Sequence, residues 1–156
     1  LSKIKNCGAR IDGVGSQGHW KLNSPSVQEI EESIVAFSKL GLKVMITELD
    51  VSVLPSPKKL VGANVNQNFA EDSKMNLYSK GLPDSMQIKL AQRYEDLFKI
   101  FIKHKDKISR ITFWGVNDSQ SWLNDWPIKK RTDYPLFFDR NNKPKKVYNQ
   151  VIALKK

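Results

Sequence analysis

Three apolar, β-branched runs punctuate the chain: Ile11 to Gly15, Leu42 to Leu49 and Ile108 to Val116. Each reads as a buried strand, and each is followed by a loop and then a helical pattern. Ser26 opens the first helix, because its hydroxyl can cap while Glu29, three residues on, closes a capping box. Val27, Ile30, Ile34 and Phe37 then fall on one face, and Gly41 is a natural stop. The second helix follows Leu82-Pro83-Asp84-Ser85 and sets Met86, Leu90, Tyr94, Leu97 and Phe101 at helical spacing. The third spans Lys145 to Leu154, with Pro144 at its start and Val147, Val151 and Leu154 facing inward.

The order β-α-β-α-β-α, with buried strands and long helices alternating, implies parallel strands joined by right-handed crossovers. Three such strands alone leave both sheet edges open. A (β/α)₈ barrel repeats this unit eight times in roughly 250 residues. The expected fold class is therefore α/β, part of a TIM barrel, with residues 1–156 supplying three of eight βα units of one domain. The stretch 55–82 has no clear period and is rich in Asn, Ser, Lys and Pro. Placed after the second strand, it is expected to be a long insertion on the barrel's C-terminal face, where binding loops gather.

The chain carries a formal charge of +10, and its distribution decides what that means. Residues 1–50 hold six basic and six acidic side chains, whereas residues 127–156 hold nine basic and two acidic, supplying +7 of the excess. Lys129, Lys130, Arg131, Lys143, Lys145 and Lys146 read as a solvated basic surface, since no aromatic interleaving or nucleic-acid module accompanies them. No apolar run approaches the ~20 residues needed to cross a bilayer. Nucleic-acid and membrane partners are thus not expected. The opening Leu1-Ser2-Lys3-Ile4-Lys5 lacks a Met and a signal-peptide core, and reads as a chain met mid-protein. A lone cysteine, Cys7, reads as a small buried apolar residue rather than a reactive thiol.

Gly13-Val14-Gly15-Ser16-Gln17-Gly18 matches the G-x-G-x-x-G dinucleotide fingerprint, but the context is wrong. His19 to Pro25 reads as loop where a helix should begin on the glycines, and no acidic residue lies ~20 positions past the motif to hold a ribose. No cofactor is expected. Ile46-Thr47-Glu48-Leu49-Asp50 carries more chemistry, because an ionised Glu closing an apolar strand is costly to bury unless paired or functional. A solvent-facing strand-end Glu and a satisfied loop His19 are the plain readings of each residue alone. Jointly, His19 after the first strand, Glu48 and Asp50 at the end of the second, and Trp114 at the end of the third converge on the face where barrel enzymes do their chemistry. Trp114, Trp122 and Trp126 flank a Gly/Asn/Asp/Ser-rich loop that is poor core material, and indoles beside polar donors suit the faces of a sugar ring. Asn117-Asp118-Ser119 fits a glycosylation sequon, a weak match. His19 and His104 lie far apart, so no metal site is expected, and His104 reads as a helix-end surface group.

At these residues the sequence resembles glycoside hydrolase family 10, the β-1,4-xylanases. The matching segments are Ile11 to Trp20, Ile46 to Val51, Thr112 to Val116 with Ser121-Trp122, and Pro135-Leu136-Phe137-Phe138-Asp139 through Pro144-Lys145. The resemblance spans nearly the whole chain and corresponds to the sixth through eighth βα units. It implies that Glu48 is the nucleophile of a retaining, double-displacement hydrolysis of xylan or xylo-oligosaccharide. It further implies that His19 and Asp50 are its hydrogen-bonded partners, that Gln17 contacts substrate hydroxyls, and that Trp114 and Trp122 wall the sugar subsites. The insertion at 55–82 is similar to those of gut and rumen Bacteroidetes members. A secreted, periplasmic or cell-surface location also follows from the resemblance.

The family's acid/base belongs to an Asn-Glu pair ending the fourth strand, and no Asn-Glu pair occurs in this chain. Asp118 has no support from the resemblance as a substitute. The acid/base is therefore expected in an N-terminal segment of the same barrel, preceding Leu1, without which the chain would be inactive. Three other readings stay open: a cellulase- or mannanase-like retaining β-1,4-glycanase, a non-catalytic carbohydrate-binding remnant, and, ranked lowest, a nucleic-acid binder whose affinity would fall steeply with salt.

Overall fold

A computed structural model describes residues 1–60 and 66–155. Its centre is a three-stranded parallel sheet in the order β1-β2-β3, with β1 at Gly13–Lys21, β2 at Lys43–Ser52 and β3 at Ile108–Phe113. The helices are α1 (Ser2–Asn6), α2 (Val27–Lys39), α3 (Asp84–Lys103) and α4 (Lys146–Ala153). Helices α2 and α3 form the crossovers that parallel pairing requires. Among the described residues no helix is long and apolar enough to cross a membrane.

The expected helices form for the expected reasons. Ser26 Oγ accepts from the Glu29 amide at 3.2 Å while the Glu29 carboxylate accepts from the Ser26 amide at 2.7 Å, completing the capping box. Ile30 and Ile34 are buried, with Val27 and Phe37 packed beside them. Gly41 takes φ +72° just past the helix end, in the left-handed region that favours glycine. Leu90, Tyr94, Leu97 and Phe101 of α3 are buried against the sheet, and Val147 and Val151 anchor α4. The Tyr94 phenol, fully buried, satisfies its hydroxyl by donating to the Pro135 carbonyl at 2.7 Å.

Strand β1 runs further than the expected Ile11 to Gly15, through Gln17 and on through His19, Trp20 and Lys21, which were expected to be loop. The reason is close packing at Gly18, where a Cβ would lie 3.1 Å from Leu49 Cα and 3.2 Å from Ile46 Cγ2. The glycine marks two strands pressed together rather than a turn. Trp20 is accordingly buried beside Phe101. β3 ends at Phe113 instead of Val116, because Gly115 adopts φ +139°, outside the β region.

Other expectations need correcting. Helix α1 was not legible in the apolar pattern, since it buries no side chain. Cys7, at its end, is exposed rather than buried. His104 caps α3 but is buried, its Nε2 lying 2.7 Å from Glu31 Oε1 of α2. The basic stretch is not uniformly solvated either. Arg131 is buried against Asp133, and Lys145 against Asp118. The 55–82 connection falls partly outside the described residues, at 61–65. The rest includes a short 3₁₀ turn, Ser73–Met75, and contacts the β3–α4 connection.

Candidate active site

The site is built on an irregularity in β2. Along the β1 side the pairing passes from Gln17↔Thr47 to His19↔Asp50, and along the β3 side from Ile46↔Ile111 to Leu49↔Phe113. Over this stretch β2 therefore contains one more residue than either neighbour, a bulge at Thr47-Glu48-Leu49. Glu48 takes φ 58° there, a conformation strained for a side-chain-bearing residue. The bulge lets Ile46 and Leu49 both point into the core while Glu48 and Asp50 face the same imidazole.

That imidazole is His19. Its Nε2 lies 2.9 Å from Glu48 Oε2, and its Nδ1 lies 3.0 Å from Asp50 Oδ1. The second oxygen of Glu48 accepts from Gln17 Nε2 at 3.1 Å. The second oxygen of Asp50 accepts from the Trp122 indole at 2.7 Å. All four carboxylate oxygens are thus engaged. Strand alternation explains why Gln17, His19 and Lys21 share the open face, while Gly18 and Trp20 turn to the core.

Electrostatics follow from burial. Asp50 is 1% exposed, and desolvation raises its pKa despite the opposing hydrogen bonds from His19 and Trp122. For His19, burial pulls the pKa down, but the hydrogen bonds and charges of Asp50 and Glu48 outweigh it and the net shift is upward. A ring whose two nitrogens both face carboxylate oxygens is satisfied as a double donor. The imidazole is thereby held as the proton-rich centre of the cluster.

An open cleft of about 610 Å³ lies over this cluster. Trp114, 46% exposed, forms one wall with its ring edge-on to His19 at 6.3 Å between centroids. Trp122 lies 4.8 Å from the His19 ring and stacks on Trp126 at 4.4 Å. Lys21, Ser56 and Leu60 complete other parts of the lining. Glu48 and Asp50 are the acidic side chains that line it among the described residues, and both oxygens of Asp50 are already used. Among those residues no cluster has the makings of a metal site.

Every sequence-predicted site residue, Gln17, His19, Glu48, Asp50, Trp114 and Trp122, comes to this one cleft. Asp118 does not. It is fully buried, ion-paired to Lys145 at 2.8 Å and bonded to the Leu136 amide. The sequon reading also fails on geometry. Asn117 is buried, its side-chain oxygen caps the 3₁₀ turn Asp118–Gln120, and its amide donates to Asn142. Sequence reasoning missed Arg131 at the cleft floor, where it donates to Ser52 Oγ at 3.0 Å and pairs with Asp133 at 3.3 Å. A basic residue two positions before an Asp was the available signal, and it is a weak one.

The sequence model described as "Glycosyl hydrolase family 10" matches residues 1–154. The chain is 44% identical over 154 residues to "Endo-1,4-beta-xylanase A" of Xylanibacter ruminicola, covering 99% of this chain and 42% of that protein. It is 38% identical to "Beta-1,4-xylanase" of Dictyoglomus thermophilum, covering 97% and 39% respectively. A solved structure of a "GH10 endoxylanase retrieved from sugarcane soil metagenome" superposes with a TM-score of 0.92 at 49% identity, over 97% of this chain and 44% of that one. The chain thus spans about two fifths of the length of the curated relatives it matches.

Proposed function

The chain belongs to glycosyl hydrolase family 10, and from that premise we propose that it supplies the nucleophile side of a retaining endo-1,4-β-xylanase site. In this reading β1–α2, β2–α3 and β3–α4 are the sixth, seventh and eighth units of a (β/α)₈ barrel. Helix-backed parallel strands with both sheet edges unpaired among the described residues support that placement. The 55–82 connection is then an insertion on the active-site face, which accords with Ser56 and Leu60 lining the cleft.

The observation that carries the reading is the double hold on Glu48. Gln17 and His19 each occupy one carboxylate oxygen, which fixes its orientation in an open cleft. The Glu48 carboxylate attacks the anomeric carbon of a bound xylosyl unit as the glycosidic C–O bond breaks. A second carboxyl, ~5–5.5 Å away, gives its proton to the departing sugar oxygen. The same group then removes a proton from water, which attacks the glycosyl–Glu48 ester and regenerates the carboxylate. Asp50 keeps His19 oriented, and Trp114 and Trp122 offer ring faces to the xylose C–H surfaces.

That second carboxyl is assigned to a segment ahead of Leu1 in the complete barrel, because the cleft's other acid, Asp50, is spent on His19 and Trp122. The N-terminal part of the same barrel is accordingly this chain's structural partner. Its substrate is xylan or xylo-oligosaccharide; the polymer is too large to enter a cell, so cutting it puts the place of action outside the cytoplasm.

The experiment is to trap the intermediate. The complete protein is treated with a 2-deoxy-2-fluoro-xylobioside carrying an activated leaving group, digested, and weighed peptide by peptide. A fluoroglycosyl adduct on Glu48 is expected; an adduct on any other carboxylate overturns the assignment.

A further inference from the structure

The β2–α3 connection is lashed to the β3–α4 connection at several points. The Phe69 amide donates to the Pro127 carbonyl at 2.8 Å, and Phe69 and Ile128 form a parallel bridge. Asn76 donates to the Lys130 carbonyl at 2.9 Å and accepts from the Thr132 amide at 3.0 Å. The Tyr134 hydroxyl donates to the Tyr78 carbonyl at 2.7 Å. Trp126 directly precedes the first tie point and stacks on Trp122, with ring centroids 4.4 Å apart and planes 25° off parallel.

We propose that Trp126, seated by this strap, is a positioning residue for the nucleophile: it holds the Trp122 indole as hydrogen-bond donor to Asp50, and through Asp50 and His19 orients Glu48. The inference rests on the reading of Glu48 as nucleophile. Trp122 borders an open cleft, and an indole N–H bond to a carboxylate at 2.7 Å is directional. A ring free to turn toward the cleft would lose it. Stacking against a partner fixed by backbone bonds removes that freedom.

The test uses the complete enzyme with Trp126→Ala, Trp126→Phe and Asn76→Ala, the last loosening the strap without touching the cleft aromatics. With the Trp122 donor loosened, Asp50 loses a bond that favours its ionised form, so the His19–Asp50 pair keeps its proton to higher pH. W126A is expected to lower kcat about tenfold with KM within about threefold, a loss of geometry rather than of affinity. The pH at which His19 gives up its proton, and any limb of the kcat/KM profile that reports it, should move up by about 0.5 unit or more. Trp126→Phe should recover most of the loss, and N76A should show a smaller shift of the same sign. A raised KM with unchanged kcat and pH profile would make Trp126 a direct substrate contact and overturn the proposal. So would a W126A enzyme identical to wild type. The His19 titration followed by NMR separates the two levels. If the complete wild-type enzyme does not cut xylan, the activity reading fails, and an unshifted His19 titration in W126A independently overturns the strap.

Discussion

The Nε2 of His19 lies 2.9 Å from Glu48 Oε2, while its Nδ1 lies 3.0 Å from Asp50 Oδ1, so one imidazole ties two carboxylates two residues apart on a single strand. A half-buried carboxylate, Glu48, is thereby coupled to a fully buried one, Asp50, and the ring transmits orientation from the second to the first. Replacing His19 with Asn removes the Oε2 donor and frees one oxygen of Asp50. The expected loss in kcat/KM is about 10²-fold, the usual effect of deleting one preorganised donor, with the fold intact by circular dichroism. Kinetics on xylo-oligosaccharides check it; a change under threefold would mean that Gln17 alone suffices to hold Glu48.

The same cluster makes stability depend on pH with a definite sign. His19 has a raised pKa in the fold, as the pull of Asp50 and Glu48 outweighs burial, and desolvation raises Asp50 as well. Both shifts mean that the folded chain binds protons more tightly than the unfolded one, so stability falls as pH rises. The His19 contribution is fully present below the ordinary imidazole value of about 6.5 and is lost as pH climbs through its raised value. Urea unfolding of wild type and His19→Gln across this range should show the gap between them closing toward alkaline pH. A gap that widens would contradict the assignment of an imidazolium here.

Lys145 and Asp118 form a buried ion pair at 2.8 Å, with the ammonium also bonded to the Tyr134 and Leu136 carbonyls. Removing one partner leaves the other charge buried and unpaired, at a cost of about 3–5 kcal/mol. Lys145→Met should therefore destabilise strongly, whereas Lys145→Met with Asp118→Leu should recover a large part of the loss. Denaturant midpoints of the single and double variants check this. If the single variant is neutral, the pair is solvated and the β3–α4 connection is looser than described.

Gly18 is predicted to be intolerant for a reason of contact rather than conformation. A Cβ there meets Leu49 Cα at 3.1 Å, and backbone cannot swing aside as a side-chain end can. Gly18→Ala should cost about 1–3 kcal/mol and, by lifting β1 off β2 beside His19, depress kcat more than it raises KM. Thermal melts and steady-state kinetics together test it.

Much of the site was legible because the chemistry sits on strands whose pattern is strong. The apolar alternation along β2 even records the bulge: Val44 and Ile46 keep one phase, then Leu49, Val51 and Val53 resume in the other, and Glu48 occupies the slip. What was not legible depended on partners distant in sequence. Lys145 looks solvated until Asp118, and His104 until Glu31, are folded against them. The extent of β1 was hidden for a different reason. The expected strand stops at Gly15 and loop is expected from His19, yet at Gly18 between them the lost side chain makes room for a neighbouring strand. The Trp122–Trp126 stack carried no helical or strand period, so spacing alone gave no sign that one indole steadies the other.

The most direct measurement is chemical rescue of Glu48→Ala in the complete enzyme, with azide added to an aryl xylobioside having a good leaving group. Without azide, turnover should fall to background while xylo-oligosaccharide binding persists. With azide occupying the emptied space, activity should return and the product should be an α-configured glycosyl azide, because only one displacement has occurred. Residual xylan hydrolysis without azide, or a β-configured azide product, would contradict Glu48 as the nucleophile.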